Sequence, residues 1–305
     1  MIFTIIEAIL PIFLVIFIGW AAGKNKIIEF EHKKSLINFV TKISLPLLLL
    51  DTTSKTPIKH FADFKVLSVI ILGLTLLFFT TYFIFKLFFK VNLNKSAISA
   101  ITSSFPNATF MGIPILIKLY GQSAMTIIIM FGIVASILLI SLTVIIIETH
   151  RNKDVHPFKH ILKILNTPMI IAPVMGLFLS YLNLGLPKVL HSTFFLIGNT
   201  APAIALFIIG FSISNSKLAM SRQIGLMIFI KSIVTPLVFW GLLVLFNIKG
   251  EVFKQVLLIS AIPTATIGPM LASQYEAYEI ESNSVSIIGT ILSIVTLGII
   301  IYLIS

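Results

Sequence analysis

Ser104-Phe105-Pro106-Asn107-Ala108-Thr109-Phe110-Met111-Gly112-Ile113-Pro114 and Ile262-Pro263-Thr264-Ala265-Thr266-Ile267-Gly268-Pro269 are the two stretches on which the fold turns. Each sits inside an otherwise apolar segment, and each carries Pro-x-Ala-Thr followed by Gly and Pro. Pro106 and Pro263 lie 157 residues apart, about half of the 305-residue chain. Ala108/Ala265 and Thr109/Thr266 keep that spacing, while Gly112/Gly268 and Pro114/Pro269 slip by one and two residues. The spacing recurs at Pro11 and Pro168 and is 156 at Pro46 and Pro202, so the repeat runs well beyond one motif. Proline lacks an N–H and glycine accepts backbone angles other residues avoid, which predicts local unwinding at both sites. Unwound backbone at membrane depth is tolerated only where it lines a cavity or is buried in protein. Paired breaks in corresponding halves of a membrane chain point to the substrate site of a secondary transporter.

Composition sets the class. The chain is 57% hydrophobic and 11% charged, with a mean hydropathy of +1.08, more apolar surface than a soluble domain of this size can bury, so it reads as an all-α polytopic membrane protein. Apolar runs bounded by charges and turn residues give ten segments, at 2–23, 34–53, 65–89, 96–119, 122–148, 161–182, 188–214, 218–247, 252–275 and 282–304. The first five repeat as the second five. Five is odd, so the halves 1–148 and 161–305 enter the membrane from opposite sides, as an inverted repeat joined by a linker at 149–160. Met1 to Ala22 lacks a basic leader and a cleavage site and reads as a retained helix. Lys and Arg number thirteen in the loops after segments 1, 3, 5 and 7 and seven on the opposite side. The bias places the 149–160 linker in the cytoplasm and both termini outside, in a multi-pass protein of the plasma membrane. It also accounts for the net charge of +11 without a nucleic-acid partner. The absence of cysteine excludes disulfides, thiolate metal sites and thiol redox chemistry.

Each resumed half-helix offers free amides and a positive partial charge, a place to hold an anion. The candidate substrate residues are Asn107, Ala108, Thr109, Gly112 and Pro114 in the first break, and Pro263, Thr264, Ala265 and Thr266 in the second. Lys231, the deepest charge, completes the set. Two readings of Lys231 stand side by side: attraction of an anionic substrate, or a packing role in which it caps carbonyls freed by Pro236. Glu7, Asp51 and Glu148 fall near segment ends and are expected at the interface, and no histidine is expected at mid-depth. No resident metal or cofactor is expected. Unwound carbonyls with the oxygens of Asn107, Thr109, Thr264 and Thr266 can coordinate sodium without a carboxylate, so uniport, proton coupling and sodium coupling all stay open. With no cysteine and no paired mid-membrane carboxylates, an intramembrane enzyme is not expected. The alternatives are a sodium-coupled symporter of the bile-acid-carrier type and a non-transporting receptor.

The segments 104–114, Ala201-Pro202-Ala203-Ile204-Ala205-Leu206-Phe207-Ile208-Ile209-Gly210, Ile262 to Thr266 and Ala272-Ser273-Gln274-Tyr275, with Leu45-Pro46-Leu47 and with Lys231 ahead of Pro236, together resemble the auxin efflux carrier family over essentially the whole chain. The resemblance implies ten helices in two inverted repeats, a scaffold domain and a transport domain with crossed broken helices. It also implies export or exchange of a small organic anion such as malate or malonate, and a homodimer. It carries the crossing onto Asn107–Pro114 and Pro263–Thr266, and a cation role onto Lys231. The long central loop of many plant members is absent, and Thr264 stands where some plant relatives carry Asn.

Overall fold

The computed structural model describes residues 2–55, 63–151, 166–215 and 218–304. There the chain is all helical, with no β-strand among the described residues and a single isolated bridge between Pro106 and Thr264. In the first half, α1 (Ile2–Lys24) and α2 (Phe30–Lys55) precede α3 (Phe64–Leu87). Two half-helices follow, α4 (Leu93–Ser104) and α5 (Ile113–Tyr120), and then α6 (Ala124–Ala135) and α7 (Ser141–Arg151). The second half holds α8 (Pro168–Tyr181), α9 (Lys188–Ser214) and α10 (Arg222–Leu245). Two more half-helices, α11 (Gly250–Ala261) and α12 (Ile267–Gln274), lead to α13 (Glu279–Ile304). Most of the expected linker and the start of the sixth segment, 152–165, lie outside the described residues.

Six helical runs among the described residues are long and apolar enough to cross a membrane: Phe30–Lys55, Phe64–Leu87, Ala108–Thr149, Lys188–Ser214, Arg222–Leu245 and Glu279–Ile304. The 42 residues of Ala108–Thr149 would reach about 63 Å, twice a hydrocarbon core of about 30 Å. The run divides at Gly121, whose φ of +71° ends α5, and α6 packs back on α5. The twelve residues of α4 and the twelve of α11 each rise about 18 Å, enough to reach the middle of the bilayer and no further.

Prolines account for three of the widened, π-type turns. Val40–Ser44 precedes Leu45-Pro46, Ala108–Gly112 precedes Ile113-Pro114, and Ile230–Val234 precedes Thr235-Pro236. Each proline withdraws an N–H from the carbonyl four residues back and crowds it with its ring, and an extra residue in the turn relieves the clash. Beside Pro236, the Thr235 hydroxyl donates to the Ile230 carbonyl at 2.9 Å.

Lipid gives helices no hydrophobic reason to associate, so contact relies on close approach through small residues and on polar ties. A Cβ at Gly210 would overlap the Ile16 carbonyl, and one at Gly19 the Phe207 carbonyl, which presses α1 against α9. Gly176 of α8 meets the Thr53 hydroxyl of α2 in the same way, and Gly198 of α9 lies against the Leu48 backbone. These contacts gather α1, α2, α8 and α9 into one group, while α3, α4, α10, α11 and α13 pack on one another, and the turn Ala108–Gly112 lies against α5, α6 and α9. Polar ties reinforce the first group. The Ser44 hydroxyl donates to the Ile197 carbonyl at 2.7 Å. Asp51 accepts from Lys55 Nζ at 3.0 Å and lies 2.7 Å from His191 Nδ1. Asp51 sits near a helix end as its position predicts, but it is buried, at 5% exposure, rather than facing headgroups. Its partner His191 lies 140 residues away and restores the hydrogen bonds that burial removes.

Candidate functional site

Both breaks meet. Pro106 and Thr264 face each other as an antiparallel pair: the Asn107 amide donates to the Pro263 carbonyl at 2.9 Å, and the Ala265 amide donates to the Phe105 carbonyl at 3.0 Å. Each proline that ends its half-helix thus leaves backbone groups that the other break satisfies, which is how irregular backbone survives in the apolar interior. The Thr264 hydroxyl adds a 2.6 Å bond to the Thr102 carbonyl, whose helical donor would have been the N–H that Pro106 lacks. The Thr102 hydroxyl in turn pairs with Ser282 of α13 at 2.8 Å.

Beyond the bridge the two arms differ. In the first, the Asn107 carbonyl accepts from the Met111 and Gly112 amides at 3.1 and 3.2 Å. That leaves Ala108, Thr109 and Phe110 as the first turn of the resumed helix, where amides lack helical acceptors. The Asn107 side chain is 3% exposed, and its Nδ2 has no hydrogen-bond partner. A buried amide with idle donors costs about 1–3 kcal/mol unless something fills it. Gly112 lies against Ile262, with 3.2 Å from a built Cβ to Ile262 Cδ1. Pro114 occupies the first turn of α5, where its missing N–H is not needed. In the second arm Thr266 precedes α12 in helical conformation and is exposed, while Thr264 and Ala265 are buried.

Lys231 does not join the bridge. Its ammonium is buried, at 2% exposure, and donates to the Ser260 carbonyl at 2.7 Å, three residues before Pro263. No acidic side chain among the described residues pairs with it. The carbonyl it holds belongs to the helix that breaks at Pro263, not to the one that bends at Pro236.

A cavity of about 30 Å³ abuts the first arm, enough for one or two waters. Thr109, Gly132 and Ser136 line one side, and Leu49 of α2 with Met169 and Ile170 of α8 line the other. It lies on the seam where α2 and α8 of the first group meet the first break and α6, and a larger hollow of about 330 Å³ at the α10–α11 turn shares none of its lining. No cluster of three His, Asp or Glu side chains able to hold a metal occurs among the described residues. The sequence pattern gave no sign of the Thr102–Ser282 pair or of the cavity wall from α2 and α8. Those contacts join residues too far apart for any local periodicity to mark.

Residues 4–301 match the family described as membrane transport protein. The chain is similar to the Escherichia coli K12 protein named "Uncharacterized transporter YfdV", at 23% identity over 93% of this chain and 94% of that one. It is also similar to a Rhizobium meliloti protein named "Putative malonate transporter", at 24% identity over 97% and 94%. A third relative, "Uncharacterized transporter MJ1031" of Methanocaldococcus jannaschii, is 27% identical over 88% and 89%.

Proposed function

The chain belongs to the membrane transport protein family, the auxin efflux carrier family its motifs resemble, and from that premise we propose that it is a secondary carrier of a small organic anion, a carboxylate. The observation that carries the reading is the crossing of two broken helices through the Pro106–Thr264 bridge, with the idle side-chain amide of Asn107 beside the free end of a half-helix. A carboxylate accepts from both kinds of donor, and the half-helix dipole favours its charge. The similarity to a protein named for malonate transport is in keeping with that chemistry.

In this reading Asn107, Ala108, Thr109, Gly112 and Pro114 form the anion-facing arm, Pro263 to Thr266 the opposing arm, and Lys231 lies behind the second. The ten segments form two inverted five-helix repeats, 1–148 and 161–305. The linker is cytoplasmic, both termini are outside, and the protein works in the plasma membrane as a homodimer. The group α1, α2, α8 and α9 is the scaffold. The crossing moves against it along the seam where the small cavity lies, so that the site faces each side in turn.

Counterflow of radiolabelled malonate and malate into liposomes holding the purified chain, with and without a sodium gradient, tests the proposal. Saturable uptake is expected, and its sodium dependence separates coupled from uncoupled transport. Folded protein that moves neither anion would contradict it.

A further inference from the structure

In an unbroken helix the Ser260 carbonyl accepts from the Thr264 amide, four residues on. The chain leaves helical conformation at Ile262, where φ and ψ are −61° and 138°, and the Ile262 amide turns back to Ile259. Thr264 is drawn into the bridge with Pro106, so the Ser260 carbonyl loses its helical donor at a depth where water cannot replace it. Lys231 fills that position at 2.7 Å. The Ser260 hydroxyl is occupied with the Leu257 carbonyl at 2.6 Å and cannot do so. The C-terminal end of a helix carries negative partial charge, so an ammonium suits it better than a neutral donor.

The two halves are unlike here. Ser103 lies 157 residues before Ser260, and the residue 157 before Lys231 is Leu74, fully buried with no donor to offer. Among the described residues only the second arm is clamped by a cation, and it is the first arm that holds the idle Asn107 side-chain amide.

We infer that Lys231 is a positioning residue of the carrier: its ammonium replaces the Thr264 amide that the break withdraws from the Ser260 carbonyl, pins the end of α11 at the crossing, and through the bridge holds Asn107 in place, without touching the anion. The inference rests on the anion-carrier reading for its functional consequence but not for its structural one, and two measurements keep them apart.

The first is backbone hydrogen exchange of the full-length chain in detergent without any anion. Lys231→Met keeps the length and apolar bulk of the side chain and removes the donor. Exchange at the Ala265 and Asn107 amides, the two that make the bridge, is expected to rise about tenfold or more, while amides of α1 and α9 keep their wild-type rates. Unchanged bridge amides in folded Lys231→Met would overturn the inference whether or not the protein moves malonate. Lys231→Gln, a shorter neutral donor, is expected to fall between, and it serves as the test if Lys231→Met is not recovered folded. A Lys231→Gln variant with wild-type bridge exchange also overturns the inference.

The second is malonate counterflow. A positioning role lowers the maximal rate about tenfold and leaves the half-saturating concentration within about threefold. A half-saturating concentration raised tenfold or more at an unchanged maximal rate would make Lys231 a ligand of the anion and overturn the inference.

Discussion

The two arms of the crossing share Pro-x-Ala-Thr yet divide their hydrogen bonds differently. The buried groups of the second arm are committed: the Thr264 hydroxyl to Thr102, the Ser260 carbonyl to Lys231, and Gly268 lies within 3.2 Å of the Thr102 Cα as measured from a built Cβ. The first arm is not. Asn107 Nδ2 is buried without a partner, and the π-type turn at Ala108–Gly112 opens on a cavity that Thr109 lines. A repeated motif thus yields one arm that fixes the geometry and one that keeps donors for a ligand. That division is what a preorganised binding site requires of its supports and its contacts.

Substitutions can break the comparison from either side. The largest effect is expected at Gly268. Its Cβ would meet Thr102, whose hydroxyl is held by Ser282 and cannot step aside, so Gly268→Ala should cost about 2–3 kcal/mol in thermal unfolding in detergent. Gly112→Ala meets only the flexible tip of Ile262 and should stay within about 1 kcal/mol of wild type. Equal losses at both positions would erase the distinction between a rigid and a yielding arm. Next, outside the crossing, Asp51→Leu removes the shared acceptor of Lys55 and His191 and should cost about 1–2 kcal/mol. Malonate transport should keep its half-saturating concentration, which checks that the scaffold tie is structural. Thr264→Ala should lose about 1 kcal/mol of stability, through the orphaned Thr102 carbonyl, and retain most of its flux. Loss of flux without loss of stability there would move the ligand contacts to the second arm. The smallest effect belongs to Ser103→Ala. The Ser103 hydroxyl is buried without a partner, so its removal should leave stability within about 0.5 kcal/mol or raise it.

Much of this was legible in the sequence. The two breaks and the helices that flank them follow from residue types whose backbone preferences are local. Which polar groups meet is not local. Asp51 looks interfacial when only its place in α2 is considered, and its burial depends on His191 from α9. Lys231 is visible as a costly charge, but proximity to Pro236 suggested the wrong proline: the carbonyl it serves belongs to Ser260, 29 residues along the chain, in the helix that breaks at Pro263. The unequal division of hydrogen bonds between the arms was likewise not local: Asn107 and Thr264 occupy equivalent places, and what each side chain finds to bond comes from the other half of the chain.

The most direct test of the account compares wild type with Asn107→Ala in malonate counterflow, using folded protein at equal density in liposomes. Saturable wild-type uptake is expected, with a loss of about tenfold or more in Asn107→Ala, the equivalent of about 1.4 kcal/mol for a charge-assisted contact. Uptake by Asn107→Ala equal to wild type would contradict it, because the first arm would then hold no part of the anion.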